Sequence, residues 1–477
     1  MQEKNRKSNM FREIREDKAF IHKLITLVLP IAFQQFMLAV VSASDALMLG
    51  SLDQNAMSAV SLAGQIAFVE NLFLEAMILG LSALAAQYWG KGDRAAVERI
   101  FAYVMKVTAS VAFLFFLAGL FLPRQLMMLF TGEEALIRGG SEYLRVVALS
   151  YLLTGISQIY LCMMKNTNRA PRASLISSCS VVINIILNAV LIYGLFGAPR
   201  MEIAGAALAT VLARVIEVSW CIIESLQGDH IRLKISNSAK GVKGAKCANH
   251  ELNGERLRKD FWKYTTPILC NEMSWGIGFT MYSVIMGHLG SDAVAANSVA
   301  TIVKNLIVCV CLGLGSGGGI LLGNELGAGR IEKAKRYGDW LCALAIVCGA
   351  VSGILLLALS PFILSLVVLT PTAAGYLRWM LAMSSYYLIG KSYSGLTIGG
   401  IFCAGGDTRF GFLCDSVTMW CVCVPISAAA AFLLKLPVLA VFFLINLDEI
   451  VKMPVEYLHY KKYQWARNLT EQEKRPE

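Results

Sequence analysis

Long apolar blocks alternate along the chain with short polar, basic turns. The first block, Leu24 to Leu49, contains one charged residue and exceeds the roughly 20 residues a bilayer crossing needs. By that measure about twelve blocks follow in succession, near 24–49, 56–88, 97–121, 141–164, 172–196, 202–224, 261–287, 294–322, 337–369, 376–403, 410–434 and 437–459. Blocks this long without period-two alternation predict helices, whereas a membrane barrel would show short alternating strands. The expected class is all-α and polytopic, with twelve transmembrane helices.

The pattern repeats at a spacing of 237 residues. Pro30-Ile31 falls on Pro267-Ile268. Gly50, Ala56, Ala59, Ser61 and Ala63 fall on Gly287, Ala293, Ala296, Ser298 and Ala300. Gly80, Leu84, Gly90 and Gly92 fall on Gly317, Leu321, Gly327 and Gly329 without a gap. Two like halves of six spans each enter the membrane from the same side. A parallel repeat follows: two six-helix bundles about a pseudo-twofold along the membrane normal. The expected organisation is a segment 1–23, a first lobe 24–224, a linker 225–260, a second lobe 261–460 and a tail 461–477. The linker is basic and rich in Gly, Ser and Asn, a composition that favours partial disorder.

Composition agrees with this class. Of 477 residues 56% are hydrophobic and 16% charged, with mean hydropathy +0.58, against about 25% charged in soluble domains. The net charge of +10 tracks topology rather than nucleic acid. With the amino terminus inside, cytoplasmic segments hold about thirty-two Lys/Arg and external loops about five. Both termini are therefore expected in the cytoplasm of a cell-membrane protein. No cleavable signal peptide is expected, because the first block is too long for one and no small-residue cleavage site follows. The thirteen cysteines lie almost entirely in apolar blocks without metal-ligand spacing and read as reduced, apolar side chains.

The doubled proline-to-glycine run resembles the multidrug and toxic compound extrusion (MATE) family. So do Asp45-Ala-Leu-Met-Leu-Gly50, the Gly90-Lys91-Gly92 turn and Ala404-Gly405-Gly406-Asp407-Thr408-Arg409. The resemblance covers about residues 20–460. It implies export driven by inward Na⁺ or H⁺, with no other cofactor. The expected partners are small, amphipathic, cationic organic compounds and the bilayer, with no nucleic acid, for a chain acting as a monomer.

Ionisable residues inside spans cost about 2.5–3.5 kcal/mol on insertion scales, so each asks for a reason. Asp45 lies about 7 Å before the end of the first span. Asn184 and Asn188 share one face of the fifth, and Thr210 lies about 12 Å into the sixth. One carboxylate with neutral amide and hydroxyl oxygens suits a monovalent cation, Na⁺ at Asp45, Asn184 and Asn188. By resemblance these positions match the family's first-lobe cation site. Some relatives carry Asp where Asn188 stands, so one negative charge is missing here. Pro30 removes a backbone donor from the first span; it and Gln34 are kink and gating candidates, since by resemblance this helix bends when the ion site changes state. The repeat places Tyr282, about Cys423 and about Ser427 opposite Asp45, Asn184 and Asn188, so the second lobe does not copy the site.

Substrate-cleft candidates are Glu70, Glu75, Glu272, Trp275, Tyr282, Lys391 and Asp415. A Glu272–Lys391 pair would lower the cost of burying both. Two other functions compete with ion-driven export. A lipid-linked saccharide flippase, on similar bundles, would need cations such as Lys304, Lys391 and Arg214 converging on a pyrophosphate. An enzyme finds no support: the five histidines lie at or beyond span ends, and no GxxxxGK[ST] phosphate loop occurs.

Overall fold

The computed structural model describes residues 12–50, 54–197, 199–226, 245–367 and 369–471. The first eleven residues, the middle of the expected linker (227–244) and the last six residues lie outside them. The described residues contain helices and no strands. In order the long helices are α1 (Lys18–Gly50), α2 (Gln54–Lys91), α3 (Arg94–Phe121), α4 (Glu134–Asn166), α5 (Ala170–Tyr193), α6 (Glu202–Leu226), α7 (Ala245–Gly287), α8 (Ser291–Gly327), α9 (Ile331–Leu366) and α10 (Pro371–Ser394). Then come α11 (Thr408–Val417), α12 (Val438–Ile445) and α13 (Asp448–Tyr460). Among the described residues nine helical stretches are long and apolar enough to cross a membrane. α7, α10 with its continuation, and α12 with α13 occupy the three remaining expected spans.

The last three spans are irregular. α10 runs on as a π-helical stretch, Gly395–Phe402. α11 runs into a second, Thr418–Cys423, and beyond Val424–Ala428 into a third, Ala429–Leu433. The last span breaks at Asn446 and Leu447, between α12 and α13. α7 starts earlier than the linker's composition suggests. Within the expected linker it carries Glu255–Lys259 at 2.8 Å and Arg256–Asp260 at 3.5 Å, each pair four residues apart on the helix.

Helix contacts group the chain into two compact units. The amino-terminal unit holds residues 37–85 and 93–265. The carboxy-terminal unit holds residues up to Phe36, 86–92, and everything from Thr266 on. The units therefore depart from the lobes expected at 24–224 and 261–460. The first half of α1 and the last turn of α2 pack with the second lobe, and the start of α7 packs with the first.

Small residues explain the exchange. On α8, a Cβ at Gly313 would lie 2.6 Å from Ala32 Cβ, and one at Gly317 would lie 2.9 Å from Val28 Cγ2. α1 fits only because both positions are glycine. In the amino-terminal unit a Cβ at Gly80 would lie 2.0 Å from Thr265 Oγ1 on α7. Gly80 and Gly317 are repeat partners, as are Thr265 and Val28, so the same contact is built twice. At the ends of α2 and α8 the contact is reciprocal. A Cβ at Gly90 would lie 2.1 Å from Asn324 O, and one at Gly327 would lie 1.9 Å from Gln87 O. Gln87 and Asn324 are themselves repeat partners.

The start of α1 is anchored on the carboxy-terminal unit by Phe20 against Tyr337 and Trp340, and by Lys23 on the buried Glu325 at 3.3 Å. The tail does not trail away at once. Trp465 is completely buried and stacks on Tyr460. Gln87 Nε2 donates to Ala404 O and Arg467 O, while Gln87 Oε1 accepts from Leu469 N at 2.7 Å. A Cβ at Gly405 would lie 1.7 Å from Trp465 O, which accounts for the glycine at that position of the Ala404–Arg409 motif.

Candidate functional site

In the amino-terminal unit the structure brings Asp45, Asn184, Asn188 and Thr210 together. Asn184 and Asn188 are buried on the inner face of α5, one turn apart. Asn188 Nδ2 donates to Asp45 Oδ1 at 2.6 Å and to Asn184 Oδ1 at 3.1 Å. Asn184 Nδ2 lies 3.5 Å from Thr210 Oγ1, whose own proton goes to Ala206 O at 3.0 Å. Thr210 thus spends its donor on its own helix and offers an oxygen to the cluster.

One atom here lacks a partner. Asn188 Oδ1 is buried without a hydrogen bond. An orphaned buried acceptor on the amide that meets the carboxylate fits a small cation. The donor set is one carboxylate, two amide oxygens and a hydroxyl: hard oxygens carrying one negative charge, suited to a monovalent ion.

The other first-lobe carboxylates stand apart from one another. Glu70 is buried and its Oε1 has no partner, while Glu75 is exposed. A five-residue separation turns them about 140° apart on α2, so they do not form a packed pair. Arg214 donates to Glu217 at 2.9 Å. In the carboxy-terminal unit Pro30 lies inside an otherwise continuous α1 and withholds a donor from the Thr26 carbonyl. Gln34, one turn on, is buried with Oε1 unpartnered.

Of the second-lobe candidates, Lys391 and Asp415 join a charged chain that sequence reasoning missed. Lys391 Nζ donates to Glu449 Oε1 at 3.0 Å. Lys452 Nζ bridges Glu449 Oε2 at 2.8 Å and Asp415 Oδ1 at 2.6 Å. Asn271 Nδ2 completes Asp415 at 3.0 Å. The partner the structure gives Lys391 is therefore Glu449, not the Glu272 suggested by the sequence. Trp275 lies beneath Lys391, 5.6 Å from ring centroid to ammonium, and stacks on Phe279. Tyr282 is buried in the apolar core of this unit with its hydroxyl unpartnered.

Asp448, Glu449, Lys452 and Glu456 are all buried. Their signal was present as Asp448-Glu-Ile-Val-Lys-Met-Pro-Val-Glu456, inside a stretch counted as apolar. Residues 449, 452 and 456 share one face of α13, and Gly390 on α10 leaves room for it: a Cβ there would lie 2.9 Å from Glu449 Cβ.

Comparisons with known proteins agree with this architecture. The MatE family matches residues 30–190 and 267–446. "Uncharacterized transporter YisQ" of Bacillus subtilis is 21% identical over 456 residues, covering 94% of this chain and 96% of that protein. "Probable multidrug resistance protein NorM" of Thermotoga maritima is 22% identical over 459 residues, covering 93% of each. A solved outward-facing multidrug resistance MATE family transporter of the MOP superfamily aligns with TM-score 0.82 and 16% identity, covering 93% of this chain and 96% of that one. The fold is that of twelve transmembrane helices in two bundles, and the chain belongs to the MatE family of multi-pass membrane transporters rather than to any class of enzyme.

Proposed function

We propose that this MatE transporter expels amphipathic organic compounds from the cell in exchange for a monovalent cation, Na⁺ or a proton, taken up at Asp45. The observation that carries the reading is the closed set of Asp45, Asn184, Asn188 and Thr210, with Asn188 Oδ1 left buried and unpartnered. The Asn188 amide N–H group lies against the carboxylate, where it offsets the negative charge. A bound Na⁺ would be held by Asp45, Asn184 and Asn188, with Thr210 adding a hydroxyl oxygen. A proton on Asp45 would neutralise the same carboxylate.

Ion binding changes which side chains α1 and α5 share, and α1 is the helix weakened by Pro30. We assign Pro30 and Gln34 the part of the bend that passes this change along α1. Moving one charge through 100 mV yields about 2.3 kcal/mol, before any concentration gradient. The Lys/Arg distribution supports termini that face the cytoplasm. The first-lobe carboxylates Asp45, Glu70 and Glu75 favour cationic amphiphiles, and a monomer suffices because both bundles come from one chain. The flippase reading loses one of its three cations, since Arg214 is paired with Glu217 at 2.9 Å.

The test is export from proteoliposomes with one ion gradient imposed at a time. A sodium gradient alone driving export, abolished in Asp45→Asn, is the expected result for Na⁺. Export that ignores sodium and collapses with the pH gradient assigns the proton. Wild-type export by Asp45→Asn under either gradient refutes the role given to this cluster.

A further inference from the structure

We propose that the second lobe carries an anion subsite, in which Lys304 and Lys391 hold the carboxylate of an aromatic amphiphile against Trp275 and Tyr387. The subsite adds a second, anionic class to the cationic amphiphiles that the first lobe favours, and in that sense rests on the transport reading. The residues that form it lie wholly in the carboxy-terminal unit.

Each lysine ammonium carries three N–H groups and accepts nothing. Lys452 faces two carboxylates and is almost fully buried. Lys391 has one ionic partner, Glu449, and its side chain remains 23% exposed where Glu449 is 1% exposed. Lys304 has no carboxylate in contact: it reaches the amide oxygen of Asn446 at 3.3 Å and the face of Tyr387 at 4.3 Å. Four N–H donors on these two lysines are therefore unspent. The surrounding acids are directed elsewhere. Glu449 is shared with Lys452, Asp415 is held by Lys452 and Asn271, and Glu456 accepts from Thr397 at 2.7 Å. Asp448 is an electrostatic neighbour of Lys304, but its Oδ1 accepts from the Glu449 backbone N–H at 2.8 Å.

The rings give the subsite its second component. Tyr387 lies one turn before Lys391 on α10, and Trp275 lies under the Lys391 ammonium. Trp275, Tyr387 and Lys304 are half-buried, each with part of its surface left exposed. Two cations beside two amphipathic rings match a carboxylate carried on an aromatic body. The backbone is irregular at the same place. The π stretch of α10 begins four residues after Lys391, that of α11 begins three residues after Asp415, and the last span breaks just before Asp448. Such interruptions recur where transporters bind ions and substrates.

The test uses the full-length protein in lipid nanodiscs without an ion gradient. Calorimetric titration compares three probes of one shape: naphthoate, neutral naphthamide and naphthylmethylammonium. Naphthoate is expected to bind best. Lys304→Gln, which breaks no ion pair, should weaken it at least about tenfold, the value of one charged hydrogen bond. Lys304→Arg should restore it, and Trp275→Leu should weaken all three probes together. Equal naphthoate affinity in wild type and Lys304→Gln, tighter binding of the ammonium probe, or no saturable naphthoate binding overturns the proposal. Asp45→Asn separates the two readings. It should bind naphthoate as wild type does while losing ion-driven export, whereas normal naphthoate binding by a wild-type protein that shows no ion-driven export sinks the exporter reading alone.

Discussion

Replacing Lys452 by methionine keeps the length of the side chain and removes its charge from between two buried carboxylates. Lys452 is 7% exposed overall, and its ammonium lies 2.6 Å from Asp415 and 2.8 Å from Glu449. Stripping one partner from a buried ion pair costs about 3–5 kcal/mol, because the remaining charge keeps its desolvation penalty. Two pairs are broken here, but neither acid is abandoned. Asp415 keeps Asn271 and Glu449 keeps Lys391, each at 3.0 Å. The expected loss is therefore about 3–5 kcal/mol rather than twice that. Equilibrium unfolding in mixed micelles measures it. Adding Asp415→Asn should recover part of the loss, since the orphaned charge is then gone. A Lys452→Met protein within about 0.5 kcal/mol of wild type, the range of an ordinary surface change, would mean that water reaches all three groups and that the buried chain does not exist.

Two further substitutions probe the packing. Alanine at Gly327 would put a methyl group 1.9 Å from Gln87 O, and alanine at Gly90 would put one 2.1 Å from Asn324 O. Each should cost about 1–3 kcal/mol by overpacking, and because the positions are repeat partners the two losses should match in thermal unfolding; a penalty at one position only would refute the reciprocal contact. Trp465→Ala should remove about 3–5 kcal/mol of tail docking, loosening the backbone around the already exposed Lys461, Lys462 and Arg467 so that trypsin cleaves there in open vesicles, and a tail that stays resistant would show that its anchor lies elsewhere.

The span count and the repeat were legible because lipid demands long apolar helices, and because backbones that touch demand glycine at matching places. The oxygen cluster was legible for a similar reason. Asp45 stands out in an apolar span, and Asn184 and Asn188 have helical spacing, so one face of α5 was bound to carry both. Three features were hidden. The boundary between compact units inside α1 and α7 depends on which helix each glycine meets, and no spacing along one helix tells that. The partner of Lys391 was missed because the last span was judged by its average hydropathy, which masks four ionisable residues sharing little more than two turns. The docked tail was missed because a short basic segment beyond the last span looks solvated, while Trp465, Gly338 and Gly405 fit together only in three dimensions.

The two halves share their packing and differ in their polar chemistry, and the reason is physical. At Gly80 and Gly317, and again at Gly90 and Gly327, a single added methyl group collides with a neighbouring side chain or carbonyl. Such a position admits one residue type as long as the helices cross there, and it admits the same type in both halves because both cross in the same way. A buried polar group is constrained differently. It needs some partner, and each lobe can supply its own. Tyr282 therefore stands where the repeat would put a second Asp45, with its hydroxyl buried and unpartnered. Ser427, opposite Asn188, is likewise buried without a hydrogen bond. The second lobe places its charges elsewhere, on α8, α10, α11 and α13, where irregular helix ends give them partners. The first lobe thus presents one carboxylate among neutral oxygens and the second presents lysines beside rings.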